Sequence, residues 1–233
     1  MKAIAVVTAR GGSKRIPRKN IREFAGKPMI AWPIQTAVQS GLFEQVIVST
    51  DDREIAEAAT HAGATVPFIR PAEIADDQTG TLEVMSHAVL WAQGQGWPFQ
   101  SACCLYGTAA LTLPADLRAA CELFSEGGWD YVFAAGRYLR PPQRAFLRTQ
   151  SGAMSLLLPE FALARSQDLE PALYDAGQFY WGSATAWAER RAIYGERTSF
   201  IELPPSRAVD VDTPEDWAMA ERQFSKWKQQ PHE

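Results

Sequence analysis

Ala3-Ile4-Ala5-Val6-Val7-Thr8 leads through Ala9 into Arg10-Gly11-Gly12-Ser13-Lys14-Arg15-Ile16-Pro17-Arg18-Lys19-Asn20. The first six residues form an apolar run of one strand's length, which predicts a buried strand. The character changes at once beyond it. Adjacent Gly11 and Gly12 let the backbone turn sharply and bring N–H groups close to an anion. Arg10, Lys14, Arg15, Arg18 and Lys19 concentrate positive charge in a chain whose formal net charge is −4. That combination suits a triphosphate, and positioned cations can stabilise charge that moves onto a leaving pyrophosphate. The spacing is neither that of a Walker A loop nor the G-x-G-x-x-G dinucleotide fingerprint. A solvated basic turn is the plain alternative. Basic turns are common, but Gly-Gly with five cations straight after a first strand is not.

Outward from this junction, short apolar runs alternate with helical patterns. Strands are expected at Gln45 to Thr50, Thr65 to Ile69, Ser101 to Tyr106, Tyr131 to Ala135, Gly177 to Ser183 and Phe200 to Leu203. Helices are expected at Pro28 to Ser40, Asp52 to His61, Thr79 to Gln93 and Pro114 to Ser125, with Gly41 and Gly63 as stops. Thr213-Pro214-Glu215-Asp216 starts a last helix, with Thr as cap, Pro in the first turn and acids at the positive end. Strand and helix in alternation predict an α/β fold, a mostly parallel sheet with helices on both faces. Ligands of such sheets bind beyond the carboxyl ends of the strands, here the loops after Thr8, Thr50, Ile69 and Tyr106. Residues 139–167 break the rhythm with a Pro- and Arg-rich stretch. They read either as an inserted arm or hairpin, suited to a dimer interface, or as a long surface loop. There is no second independent domain; residues 1–233 read as one.

The bulk numbers exclude several classes. The chain has 233 residues, 46% hydrophobic and 21% charged, ordinary for one globular α/β domain. Its acidic balance argues against a nucleic-acid binder, which needs a broad basic surface. Cys103, Cys104 and Cys121 make neither a disulfide framework nor a zinc site; the first two fall in a buried strand and read as core. No stretch approaches the roughly 20 apolar residues that span a bilayer. The apolar run at the start is too short for a signal peptide, so a cytoplasmic location is expected. His61, His87 and His232 lack the setting of a triad. Trp217, Phe224 and Trp227 read as packing residues of the last helix.

The basic loop closely resembles the signature of the sialic-acid-type cytidylyltransferases, the CMP-nonulosonate synthetases. Further matches follow in order: Ser49-Thr50-Asp51-Asp52, Arg70-Pro71-Ala72-Glu73, Leu105-Tyr106-Gly107-Thr108 and Val209-Asp210-Val211-Asp212-Thr213. Arg165-Ser166-Gln167-Asp168-Leu169-Glu170-Pro171 and Asp175-Ala176-Gly177-Gln178-Phe179-Tyr180-Trp181 look more like the pseudaminic acid branch than the sialic acid one. The resemblance implies a Rossmann-like core, CTP as donor, an acidic nine-carbon sugar as acceptor, Mg²⁺ as cofactor and a homodimer with a swapped arm. It implies that Arg10, Gly11, Gly12, Ser13, Lys14 and Lys19 hold the CTP phosphates and that Asn20 contacts the nucleotide. Arg70, with Thr79 and Thr81, would recognise cytosine. Tyr106, Arg144, Arg165 and Gln178 would face the sugar. Asp210 and Asp212 would hold the metal, with Arg10, Lys14, Lys19 and Asp212 carrying catalysis. Two departures stand out: the family usually has Pro where this chain has Gly107 and Ala110, which is expected to loosen the sugar-side loop.

The residues support the metal assignment on their own account. Asp210 and Asp212 lie two apart, so on an extended strand they would point to one side and present hard oxygen ligands for Mg²⁺. The alternative for Asp212 is a helix cap. Arg144 and Arg165 suit a carboxylate through bidentate pairing, although isolated arginines are more often solvated. Related acceptors, sialic acid, legionaminic acid or a keto-deoxy-octulosonate, are the rival readings. A nucleotide-binding regulator without turnover is the rival from another class, and it leaves the paired aspartates unexplained.

Overall fold

The computed structural model describes residues 2–228, so His232 lies outside the described residues. Ten strands form: β1 (Ala3–Thr8), β2 (Glu23–Phe24), β3 (Lys27–Pro28), β4 (Gln45–Ser49), β5 (Ser101–Tyr106), β6 (Tyr131–Arg137), β7 (Phe146–Arg148), β8 (Met154–Leu156), β9 (Leu173–Ser183) and β10 (Thr198–Leu203). The α-helices are α1 (Ala31–Ser40), α2 (Arg53–His61), α3 (Thr81–Gly94), α4 (Pro114–Ser125), α5 (Ala184–Ala188) and α6 (Pro214–Lys228). The central sheet has six strands in the order β10-β6-β9-β5-β1-β4. Only β9 runs antiparallel to its neighbours; the pairs β1–β4, β1–β5 and β6–β10 are parallel.

The period of two along β1 and β5 builds two cores. Ala3, Ala5, Val7, Cys103 and Leu105 face α1, α2 and α4, meeting Ile34, Ile55, Leu117 and Phe124. Ile4, Val6, Ala102 and Cys104 face the other way, toward Met85 and Val89 of α3 and Trp187 of α5. Both cysteines are fully buried, as core residues should be. A third core lies beside the sheet. Phe24 of the β2–β3 hairpin packs edge-on to Trp217 and Phe224 of α6, and Trp227 packs against the same cluster. Ile16, from the middle of the basic loop, is 1% exposed within it. One apolar side chain thus anchors an otherwise charged loop.

Several elements depart from expectation for local reasons. Thr65–Ile69 makes only single bridges, at Ile47–Thr65 and Thr50–Ile69; Pro67 lacks the N–H a continuous ladder needs. The first helix starts at Ala31 rather than Pro28, because Lys27 and Pro28 turn back on Glu23 and Phe24 through Ala25 and Gly26, both at positive φ. Asp210 and Asp212 sit in an irregular segment, not on a strand. Thr213 caps α6: its Oγ1 accepts from Asp216 N at 3.2 Å, and Asp216 accepts from Thr213 N at 2.8 Å. Asp212 is therefore free of capping duty. The short helix α5 carried no sequence signal that was read as helix.

Residues 139–167 contain a real hairpin, β7 paired with β8. Its apolar side chains are bare: Leu139, Phe146, Leu147, Met154 and Leu163 are all exposed, Leu163 by 98%. His87 is structural, packed edge-on to Phe68, and burial lowers its pKa. Among the described residues no helix is long and apolar enough to cross a membrane.

Candidate active site

A cleft of about 390 Å³ opens at the carboxyl ends of β1 and β5, where Thr8 and Tyr106 line it. A second cavity of about 320 Å³ adjoins it, sharing Arg10, Lys19, Asn20 and Asp212. The basic loop separates them, and its shape depends on the loop after β4. Gly11 N donates to Asp51 Oδ1 at 2.9 Å, and a Cβ on Gly11 would fall 2.7 Å from Asp52 Oδ2. Only glycine fits there. Asp52 also caps α2, accepting from Glu54 N and Ile55 N. Gly12 meets nothing close, so no packing demand falls on it. Asn20 is buried and donates to the Arg10 carbonyl at 3.0 Å, tying the two ends of the loop together.

The second cavity is the basic one. Ser13, Lys14 and Arg15 line it with the residues already named, and Asp77 joins from the segment before α3. Arg15 and Lys19 both reach Asp212, at 2.8 and 3.2 Å. Arg10 and Lys14 both pair with Asp77. Asp77 was not singled out from sequence.

At the inner end of the cleft, Arg70 is 6% exposed. Its Nε donates to Ser49 Oγ at 3.1 Å and a terminal nitrogen donates to the Ser49 carbonyl. Burial lowers its pKa and nearby Asp51 works against that. A guanidinium fixed this way keeps its remaining donors aimed at the cleft. Thr79 and Thr81 line the same wall. Thr81 Oγ1 and Tyr106 OH lie 2.7 Å apart, and burial pushes Tyr106 up to about 12, so it stays neutral as a hydrogen-bonding group. Tyr106 thus belongs to the wall shared with Thr81.

Asp210 and Asp212 both line the cleft, as their spacing suggested, although no strand carries them. Asp210 opens onto solvent, yet protein crowds its carboxyl from behind. That desolvation, with Asp212 beside it, raises its pKa to about 6. Among the described residues no group of three or more acidic, His or Cys side chains forms a closed metal cage. Two carboxylates with an open side are what Mg²⁺ uses when substrate phosphates and water complete its shell. The donor set fits that ion.

The sugar-side residues divide differently. Gln178 is 1% exposed, and both ends of its amide are used inside the protein: Oε1 accepts from Thr112 Oγ1 at 2.6 Å, and Nε2 donates to the Arg207 carbonyl. It lines neither cavity, so it packs rather than binds. Arg144 and Arg165 lie in the arm, Arg144 donating to Ser166 Oγ at 3.3 Å; neither lines the cleft of its own chain. The loop lacking the two prolines is not loose. Gly107 N donates to the Thr8 carbonyl at 3.0 Å, a bond proline cannot make, and Ala110 N donates to the Thr108 carbonyl at 2.8 Å. A Cβ at Gly107 would strike Asn20 Oδ1 at 2.5 Å, so the glycine keeps the loop close.

A basic cavity, a buried arginine and a carboxylate pair lie together at the carboxyl-end edge of the sheet, an arrangement suited to an anionic nucleotide. The particular family follows from comparison. The sequence profile described as "Cytidylyltransferase" matches residues 4–233, and the chain belongs to that family. It is 40% identical to a pseudaminic acid cytidylyltransferase of Campylobacter jejuni, over 94% of this chain and 95% of that protein. It is 34% identical to a CMP-N,N'-diacetyllegionaminic acid synthase of Legionella pneumophila, over 95% and 96%. A solved CMP:2-keto-3-deoxy-manno-octonic acid synthetase complexed with CTP shares the fold, with a TM-score of 0.71 at 16% identity, over 97% of this chain and all of that one.

Proposed function

We propose that this cytidylyltransferase transfers CMP from CTP to the anomeric hydroxyl of pseudaminic acid, releasing pyrophosphate, with Mg²⁺ as cofactor. The observation that carries the reaction is that Asp210 and Asp212 line one cleft together with Arg10 and Lys19 of the basic loop. The acceptor rests on sequence: identity is higher to the pseudaminic acid enzyme than to the legionaminic acid one, over nearly the same span.

In this reading cytosine enters the inner cleft, where Arg70 donates to its carbonyl and ring nitrogen, and Thr79, Thr81 and Tyr106 wall the site. The phosphates extend into the basic cavity over Arg10, Ser13, Lys14 and Lys19. The acceptor oxygen attacks the α-phosphorus in line with the bridging oxygen to the β-phosphate. As that bond breaks, negative charge moves onto pyrophosphate, and Lys14, Arg10 and Lys19 lie where it collects. Asp210 and Asp212 would hold Mg²⁺, which would supply orientation of the phosphates and Lewis acidity.

The bare apolar side chains of the arm favour a homodimer, in which Arg144 and Arg165 of one chain serve the acceptor bound by the other. A cytoplasmic location, where CTP is made, accords with this chemistry. The test is pyrophosphate release from CTP and Mg²⁺, offering pseudaminic, legionaminic and N-acetylneuraminic acids in parallel with a chelator control. Chelator-sensitive release with pseudaminic acid is expected. Release with another sugar alone overturns the acceptor, and nucleotide binding without release with any of them favours a non-catalytic regulator.

A further inference from the structure

Each of the five cations of the basic loop has a carboxylate partner within the chain. Arg15 and Lys19 meet Asp212, Arg18 meets Glu54, and Arg10 and Lys14 share Asp77. Asp212 has a second task beside Asp210. Glu54 lies outside both cavities. Asp77 alone is an acid that lines the basic cavity with no other duty.

Its position is built. Asp76 Oδ1 accepts from Gln78 N at 3.0 Å, Thr79 N at 2.7 Å and Thr79 Oγ1 at 2.7 Å, closing a tight turn that leads into α3. The next side chain, Asp77, is thereby held toward the loop that follows β1. Its two partners hold its carboxyl below the usual range, so it is anionic at neutral pH. Each N–H of Arg10 or Lys14 that points at Asp77 is one not offered to a phosphate oxygen, and the Asp77 charge repels an incoming phosphate. A carboxylate in that place competes with a phosphate group.

We infer that Asp77 is a specificity-determining residue of this cavity, an internal competitor for the leaving-group phosphates. It holds Arg10 and Lys14 until a ligand with enough charge displaces it, and it takes them back as pyrophosphate departs. This rests on the proposed reading of the basic cavity as the pyrophosphate end of the site.

The test is titration calorimetry on the full chain with inorganic pyrophosphate, CTP and cytidine, comparing wild type with Asp77→Asn, Asp77→Ala and Lys14→Ala. Exposed ion pairs are weak, so loss of two predicts roughly threefold to tenfold tighter binding of pyrophosphate and CTP in both Asp77 variants. Cytidine, which lacks phosphate, should bind unchanged, and pyrophosphate should inhibit turnover at correspondingly lower concentration. Unchanged or weaker pyrophosphate binding in the Asp77 variants, while Lys14→Ala still weakens it, overturns the competition and leaves the cavity reading standing. A shift in cytidine affinity equally counts against it, since Asp77 would then act through the base site. If Lys14→Ala does not weaken pyrophosphate binding, the cavity reading itself fails and the inference falls with it.

Discussion

The α-carbon of Gly177 packs against the carboxylate of Asp210: a Cβ on Gly177 would fall 2.6 Å from Asp210 Cγ. The contact arises from an irregularity in β9. Phe133 pairs with Tyr180 but Ala135 pairs with Asp175, so the residues between them bulge out of the β6 ladder. Gly177 lies in that bulge with φ of 61°, and its N–H is held by Asp175 Oδ1 at 2.9 Å. The bulge sets where Asp210 stands. Gly177→Ala is therefore expected to displace Asp210. The left-handed conformation alone costs about 1 kcal/mol, and thermal unfolding should show at least that loss. Mg²⁺ affinity and kcat should fall about tenfold or more, the cost of a metal ligand out of place. A variant with normal Mg²⁺ dependence would show that Asp210 is not held by this contact.

Asp212 stands beside Asp210 and pairs with the cations Arg15 and Lys19. Asp212→Ala removes the proposed metal ligand from a half-exposed place with no capping duty, so the fold should survive while turnover is lost. Circular dichroism and pyrophosphate release measure the two halves. Near-normal activity with ordinary Mg²⁺ dependence would remove Asp212 from the mechanism.

Much of this site is legible in the sequence, and the parts that are not share a cause. The β1 strand and the basic loop read directly, because apolar run, glycines and charge are contiguous. Asp210 and Asp212 line one cleft although their segment is irregular rather than a strand, which their spacing alone does not show. Asp77 escaped notice because its partners are far off in the chain and nothing local marks an exposed acid as aimed at them. For Gln178 a sequence shows a polar side chain but not which way a buried amide faces, here toward Thr112 and the Arg207 carbonyl. The bulge around Gly177 was hidden for a similar reason: register is set by the neighbouring strand, and β9 read as an ordinary strand with a glycine at its start.

Arg70 owes its pose to Ser49, which holds both Nε and a terminal nitrogen. Ser49→Ala removes one of these bonds inside the core. The KM for CTP should rise about tenfold to a hundredfold, the scale of one hydrogen bond to a charged group, with kcat little changed. Arg70→Lys should cost more, since a single ammonium cannot satisfy Ser49 and cytosine together. A rise in acceptor KM with CTP KM unchanged would move Arg70 away from the base.

Asp210 gives a pH signature. Its pKa is raised to about 6 from the model-peptide value of 3.8, by desolvation first and Asp212 second. A carboxyl with a raised folded pKa favours the folded state at low pH, and that contribution fades as pH climbs from about 4 to 6. A cation needs the ionised form. Stabilisation by added Mg²⁺ should accordingly be small at pH 5, grow through pH 6 and level off above 7, in thermal melts with and without the ion. Asp210→Asn should flatten that pH dependence; a profile unchanged by the substitution would assign it to another group.

Gln178 separates packing from binding. Both its amide ends are satisfied internally, by Thr112 and by the Arg207 carbonyl. Gln178→Leu keeps the volume but strands the buried Thr112 hydroxyl and leaves the Arg207 carbonyl with Val209 N, at 3.0 Å, as its remaining partner; a buried group left unsatisfied costs about 1–3 kcal/mol. The expected result is a lowered midpoint in urea with acceptor KM unchanged at temperatures where the variant stays folded. A contact with the sugar would produce the reverse: a raised acceptor KM in a protein of ordinary stability. Arg207 sharpens the comparison, because it also ion-pairs with Asp116 of α4. Losing the Gln178 bond to its carbonyl should loosen the link from β9 to α4, and amide exchange in Pro114–Ser125 should quicken with the stability loss.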